Sequence, residues 1–237
     1  ALAERIQNVD ANETRAVASW FADARVIELL GFRDTDARVR QAAFEALSAC
    51  AAAGAPLKAV EASLAGPWWA ATADAYADVA RAAVQAWKRA FPKANGVVGA
   101  TRNRRTIVAF ALAVLKEEEV EEKDPLERKE QRAARAEARA RALGGLAKLV
   151  AAAQRVGVDA AFLASLREVY ASKQSWRALK AVQTTDPLER RACYALLEKL
   201  AAHAPGSADA LSTGATLALL ALDQEPEEVA PLWSCVA

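Results

Sequence analysis

Apolar and polar positions alternate with a helical period in two stretches of the chain that share one layout. In residues 34–47, DTDARVRQAAFEAL, two aspartates precede apolar residues spaced three and four apart. Residues 72–87, TADAYADVARAAVQAW, repeat this layout about forty residues later, and residues 184–200, TTDPLERRACYALLEKL, resemble both. Residues three and four apart share a helix face, and self-similarity at this period indicates stacked helical hairpins.

Matching the copies assigns a structural role to the charged positions. Asp34 matches Asp74, Val39 matches Val79, Ala43 matches Ala83, Phe44 matches Val84 and Leu47 matches Trp87; in the third copy Asp186 opens the helix, with Tyr194 and Leu197 inside. An aspartate at a helix start accepts hydrogen bonds from unpaired N–H groups. We therefore expect these Asp and Arg residues to cap helices and to pair between neighbouring hairpins.

The predicted fold class is all-α, an α-solenoid of stacked HEAT/ARM-like helical hairpins. Breaks at Gly and Pro separate the helices. The predicted hairpins span roughly 13–53, 57–92, 104–157, 159–203 and 207–236. Gly66–Pro67 predicts a break before Trp68, Gly144–Gly145 weakens a long helix over 126–157, and residues 92–103 form the connection expected to be most flexible.

Composition narrows the class of protein without defining a function. Abundant Ala favours helices, and the net charge of +1 excludes a strongly basic nucleic-acid binder while permitting a local patch. The three cysteines, Cys50, Cys193 and Cys235, are predicted to be buried free thiols in a reducing compartment. No stretch has the length of a membrane span or the character of a targeting signal. The sequence contains no Met, and we expect it to be part of a longer chain.

The inventory of reactive residues predicts no catalytic, metal or cofactor site in this segment. His203 is the only histidine, and its place at a helix end favours a capping role. The cysteines lack the C-x-x-C spacing of zinc sites, and Gly144–Gly145 lacks the features of a phosphate loop. The carboxylates of 117–122 are typical of a solvated helix face.

Residues 79–116 contain no acidic side chain, and positive charge collects at one predicted hairpin end. The candidate RNA contacts there are Lys88, Arg89, Lys93, Arg102, Arg104 and Arg105. One interpretation is contact with RNA phosphates, for which Lys and Arg provide salt-dependent affinity. The other is a solvated loop balanced by the acids that follow, which the sequence alone slightly favours.

Two further features are candidate contacts for a protein partner. Arg128, Arg132, Arg135 and Arg139 are spaced to lie on one helix face, either as a solvated surface paired with Glu or as a docking stripe for an acidic partner. Tryptophans at helical spacing are expected in the core. Because Trp68 and Trp69 are adjacent, they cannot both face the same way, and one of them is predicted to be partly exposed.

Several ordered stretches together resemble the N-terminal HEAT-like region of the listerin family of RING-type E3 ubiquitin ligases. The most similar is LAGPWWAATADAYADVARAAVQAWKRAFP, in which an apolar helix, a Trp-containing turn and a helix ending in Ala-aromatic-Pro follow each other. RDTDARVRQAAFEAL lies upstream, and DPLERKEQRAARAEARARALGGLAKLV, SWRALKAVQTTDPLERRACYALLEKLAAHAPG and LALLALDQEPEEVAPLWSCVA follow in the family's order. The resemblance covers nearly the whole chain, although residues 93–103 and the Ala enrichment depart from it.

The resemblance implies a role in ribosome-associated quality control. Listerins ubiquitylate nascent chains stalled on the 60S ribosomal subunit, and the N-terminal region docks on that subunit and on nuclear export mediator factor (NEMF). The implied location is the cytosol, on ribosomes, without a membrane or a small-molecule substrate. The segment would anchor and not catalyse, and zinc is expected in the RING domain, outside these residues. The alternative is a generic HEAT scaffold, such as a transport receptor, a chromosome-organising subunit or a phosphatase scaffold.

Overall fold

The computed structural model describes residues 24–54, 57, 61–117, 124–155 and 186–203, and every regular element in these ranges is helical. The elements are α1 (an α-helical turn, Ala24–Val26, continued by a π-helix, Ile27–Arg33), α2 (Ala37–Ala52), α3 (Glu61–Ala71), α4 (Ala77–Ala90), a 3₁₀-helix (Lys93–Gly96), α5 (Val97–Arg102), α6 (Arg104–Lys116), α7 (Pro125–Gln154) and α8 (Pro187–His203). These residues fall into two compact units, one up to Phe110 and one from Ala111 onward. The helices predicted at 159–183 and the hairpin at 207–236 lie outside the described residues.

The first unit is built from two stacked helical hairpins. Within the hairpins α1 packs on α2 and α3 packs on α4, and between them α1 packs on α3 and α2 packs on α4. Arg40 contacts Asp74 near the starts of α2 and α4, and Arg89 contacts Ser48 near their ends, so the two helices run in the same direction. The predicted fold class, an all-α solenoid of stacked helical hairpins, is confirmed.

The hairpin corners of this unit repeat the same hydrogen bonds. The carboxylate of Asp34 accepts from the N–H of Asp36 at 2.8 Å, and that of Asp74 accepts from the N–H of Tyr76 at 2.9 Å. Arg40 then joins the two corners through an ion pair with Asp74, 2.8 Å from Nε to Oδ2, with both side chains fully buried. The predicted pairing of neighbouring corners is confirmed.

Helix α3 continues through Gly66 and Pro67, so the predicted break is wrong. An internal proline costs about 3 kcal/mol, but residues 64–71 are all buried, and a large apolar side chain such as Leu64 contributes about 1.5–3 kcal/mol. Gly66 has a packing role instead, because a Cβ there would lie only 2.5 Å from the Cβ of Phe110. Burial on every side therefore maintains the helix.

The described part of the second unit centres on the packing of α8 against α7. Asp124 is the N-cap of α7, accepting from the N–H of Leu126 at 2.7 Å, and Asp186 accepts likewise from the N–H of Leu188 at 2.9 Å. Helix α7 runs unbroken through Gly144–Gly145. Tyr194 is fully buried, as predicted. No described helix combines the length and apolar character that crossing a bilayer requires.

Candidate functional site

Six cations lie near one end of the first unit, and we call this set the basic end: Lys88, Arg89, Lys93, Arg102, Arg104 and Arg105. Two come from the last turn of α4, one opens the 3₁₀-helix, one ends α5 and two begin α6. Arg89 donates to the hydroxyl of Ser48 at 2.9 Å, and Arg102 pairs with Glu61, the first residue of α3. The basic end thus lies where α2 and α4 finish and α3 begins, opposite the aspartate corners.

The connection over 92–103 carries two of these cations, Lys93 and Arg102, and is mostly helical, so the prediction of a loop there is wrong. A 3₁₀-helix and α5 fill it, and Trp87 holds it by donating its indole N–H to the carbonyl of Gly96 at 2.9 Å. Gly96 has φ +85°, and a Cβ there would lie 2.5 Å from Cδ1 of Trp87. Only glycine fits this conformation and this contact without strain.

The cations of the basic end differ in how they are engaged. Arg104 donates to the carbonyl of Thr101 at 3.1 Å, and the carboxylate of Glu61 raises the pKa of Arg102 by hydrogen bonding to its guanidinium. Lys88, Lys93 and Arg105 are exposed, and none of their side chains has a hydrogen bond or ion pair with another described residue. These three groups can therefore reach a ligand without breaking a hydrogen bond or an ion pair.

Sequence reasoning missed Glu61, the one buried carboxylate in contact with the basic end among the described residues. It accepts from Nε of Arg102 at 3.2 Å, pairs with Nη2 of the same residue and also accepts from the amide of Asn103. Arg102 lies forty-one residues after Glu61, close to the repeat period. Applying that period to charged side chains outside the corners would have identified the pair.

Both candidate tryptophans lie in the core, so the prediction that one is partly exposed is wrong. Trp68 is 0% exposed and Trp69 is 8% exposed. Both rings contact Trp87 edge-on, with centroids 5.2 and 5.3 Å away, and the Trp68 indole N–H donates to the carbonyl of Ala83 at 3.1 Å. Adjacent residues point to different sides of a helix, but α3 is covered on both sides. Neither ring is available to a partner.

The arginine stripe is continuous, but its last member serves the interior of the second unit. Helix α7 places Arg128, Arg132, Arg135 and Arg139 on one face. Arg139 donates to the carbonyl of Glu117 at 2.9 Å and lies 4.0 Å from the buried carboxylate of Glu189. Its guanidinium therefore joins helices, which argues against a docking role for this residue. For Arg128, Arg132 and Arg135, which are exposed or half-buried, partner contact stays a prediction.

The described residues contain no group of three or more His, Cys, Asp or Glu side chains placed to hold a metal ion. Cys50 and Cys193 are free and buried, as predicted. Burial raises the pKa of Cys50 to about 11 and raises that of Cys193 further, so neither thiol is an ionised nucleophile at neutral pH. His203 ends α8, and Cys235 lies outside the described residues.

Stacked hairpins with charged rims define a helical-repeat protein, a class in which each repeat packs on its neighbours and leaves an extended surface. The family model for "E3 ubiquitin-protein ligase listerin, N-terminal domain" matches residues 7–237 of the chain. The chain belongs to this family. No curated protein and no solved structure matches it.

Proposed function

We propose that this chain is the docking region of a listerin-type E3 ubiquitin ligase, which anchors the ligase on the 60S ribosomal subunit. There the ligase ubiquitylates stalled nascent chains, and this segment itself is not catalytic. NEMF is the proposed protein partner, the cytosol is the proposed location, and zinc is proposed only for a RING domain outside these residues. Membership of the listerin N-terminal family supports this proposal.

The observation that carries the docking role is the clustering, on helices, of cations whose side chains have no hydrogen-bond or ion-pair partner among the described residues. The side chains of Lys88, Lys93 and Arg105 extend into solvent from helices that Trp87 and Glu61 hold in place. Lys and Arg bind phosphates with an affinity that falls as salt rises, because bound counterions are released. An RNA surface of the large subunit is therefore the ligand that we assign to the basic end.

Binding to purified 60S subunits between 50 and 200 mM salt tests this proposal. The test variant is Lys93→Glu with Arg105→Glu, since neither side chain has a hydrogen-bond or ion-pair partner among the described residues and a glutamate at residue 105 lies in the favourable first turn of α6. Each lost phosphate contact lowers the slope of log affinity against log salt by about one. We expect the slope to fall by about two and the affinity to fall about tenfold or more at 100 mM salt.

The matched control is Arg38→Glu with Arg81→Glu, which makes the same change of charge at the opposite end of α2 and α4. Both control side chains are exposed, at 90% and 64%. We expect the control to bind like the wild type. Equal loss in both variants, or no loss in either, would contradict docking through the basic end.

A further inference from the structure

Glu61 and Arg102 form an ion pair between the start of α3 and the end of α5, in which the carboxylate is buried and the guanidinium is exposed. We infer that Glu61 is a positioning residue, which holds Arg102 as a preset phosphate-binding group of the basic end. This inference rests on the proposed function, because it assigns RNA phosphate as the ligand. Arg102 would then differ from Lys88, Lys93 and Arg105, because its guanidinium is held in one direction and their side chains extend into solvent.

The ion pair uses one edge of the guanidinium and leaves the other edge available. Glu61 binds Nε and Nη2 of Arg102, and the Arg102 side chain is still 57% exposed whereas that of Glu61 is 8% exposed. Within the described residues, Nη1 of Arg102 has no hydrogen-bond partner. A guanidinium carries five donors in a rigid plane, so fixing one edge sets the direction in which the remaining donors point.

Glu61 is itself held by groups of the same ordered connection. Its carboxylate also accepts from the amide of Asn103, which is buried and donates in addition to the carbonyl of Gly99 at 2.8 Å. Glu61 begins α3, where the helix dipole favours a negative charge. The support behind Arg102 thus extends into α3 and α5.

Two opposing effects of Glu61 on phosphate binding can be distinguished. Its negative charge weakens the attraction of a phosphate, but the phosphate would meet Arg102 on its solvent-exposed side, where water reduces the effect of the more distant carboxylate. Its grip on Arg102 strengthens binding, because an arginine ordered beforehand loses less rotamer freedom when it meets the ligand. We expect the ordering effect to be larger, so removal of the charge should weaken binding.

A thermodynamic cycle with a 20-base-pair RNA duplex at about 50 mM salt tests this sign. The four proteins are the wild type, Glu61→Gln, Arg102→Gln and the double variant. We expect about fivefold weaker binding for Glu61→Gln and about tenfold weaker binding for Arg102→Gln. In the Arg102→Gln background, Glu61→Gln should cause no further loss, because Glu61 acts through Arg102.

Stronger binding by Glu61→Gln would show that the carboxylate only competes with phosphate, and equal losses in both backgrounds would show a general structural effect; either result overturns the inference. Circular dichroism checks that each protein is folded at the temperature of the titration. Because Glu61 is buried, Arg102→Lys provides a second test at an exposed side chain. It keeps the charge but loses the two-point contact, and wild-type affinity in this variant would also overturn the inference.

The 60S titration separates the two claims. If Lys93→Glu with Arg105→Glu weakens subunit binding while Glu61→Gln and Arg102→Lys bind the duplex like the wild type, only the positioning role fails. If the duplex cycle gives the expected pattern while Lys93→Glu with Arg105→Glu binds 60S subunits like the wild type, the docking proposal fails and the positioning role stands. A wild-type chain that binds neither RNA nor subunits overturns both.

Discussion

Each of the two units contains a buried carboxylate beside an arginine of another helix, yet the two pairs differ in geometry. In the first unit Arg40 donates from Nε and Nη2 to both oxygens of Asp74, at 2.8 and 3.1 Å. Its third nitrogen donates to the carbonyls of Asp34 and Thr35, at 2.6 and 3.2 Å. Every nitrogen of the buried Arg40 guanidinium therefore has a hydrogen-bond partner.

In the second unit Arg139 lies 4.0 Å from Glu189, and a quarter of its side chain is exposed. Burial raises the pKa of Glu189; the charge of Arg139 opposes this effect and that of Asp186 adds to it. The comparison teaches that burial and proximity do not by themselves stabilise a charge. The number and alignment of its hydrogen bonds decide how much a buried ion pair stabilises the fold.

The largest expected effect comes from neutralising the well-bonded carboxylate. Asp74→Asn keeps an oxygen for the N–H of Tyr76 but leaves the buried Arg40 without a counter-charge. Removing one partner of a buried pair costs about 3–5 kcal/mol, so we expect the free energy of unfolding in urea to fall by about 3 kcal/mol. Asp78→Asn, in the exposed pair with Arg81, is the control and should change it by less than about 0.5 kcal/mol. Equal losses of unfolding free energy in the two variants would contradict the claim that the buried pair stabilises the fold more than the exposed pair.

A smaller, pH-dependent effect is expected at the loosely paired carboxylate. Because the pKa of Glu189 is raised in the fold above its ordinary value of 4.5, the native state binds the proton more tightly than the unfolded chain. The stability that this proton provides is complete below pH 4.5 and is lost as pH rises through the folded pKa. Relative to the wild type, Glu189→Gln should therefore gain stability from pH 4.5 upward and then level off.

Urea unfolding of both proteins at several pH values between 4 and 8 measures that difference, in which the other titrating groups cancel. A difference that is constant with pH, or that moves in favour of the wild type, would show that Arg139 stabilises the ionised carboxylate better than the geometry indicates.

The smallest effect is expected at the exposed corner pair. Hydrogen bonds from the side chain and the backbone N–H of Arg38 lower the pKa of Asp36 to about 2, so its contribution is present above pH 3.8 and is lost as pH falls towards 2. Arg38→Ala keeps the backbone donor. We expect no measurable change in melting temperature at pH 7. The pKa of Asp36 should rise towards 3.8 without reaching it. An NMR titration of the carboxyl carbon measures this; an unchanged pKa would show that the backbone N–H accounts for the whole shift.

Local features of the sequence were sufficient to predict several of the helices and where three of them start. The spacing of apolar residues and the aspartates at 36, 124 and 186 specify where α2, α7 and α8 begin, because a cap and its N–H partners lie within a few residues of each other. The order of the stretches in 33–237 was sufficient to predict the family. Both kinds of signal are carried along the chain and need no knowledge of distant contacts.

The predictions that failed depended on residues distant in sequence. Helix α3 continues through Gly66 and Pro67 because residues 64–71 are buried, with Phe110 packed against Gly66. The connection over 92–103 is helical and is held by the hydrogen bond from Trp87 to Gly96. One local signal was available and not used. Residues 64–71 are apolar almost throughout, which indicates a helix covered on all sides and thus two buried tryptophans.

The joining of α2 and α4 at both of their ends has a consequence for changes in chain length. Asp74 meets Arg40 before α4 begins, and Arg89 meets Ser48 one residue before α4 ends. A single residue inserted between them would rotate everything downstream by about 100° and turn Arg89 and Lys88 away from the basic end. Among relatives of this chain, insertions and deletions should therefore be absent from 74–89. They should occur instead in connections outside this range, which can absorb a change of length.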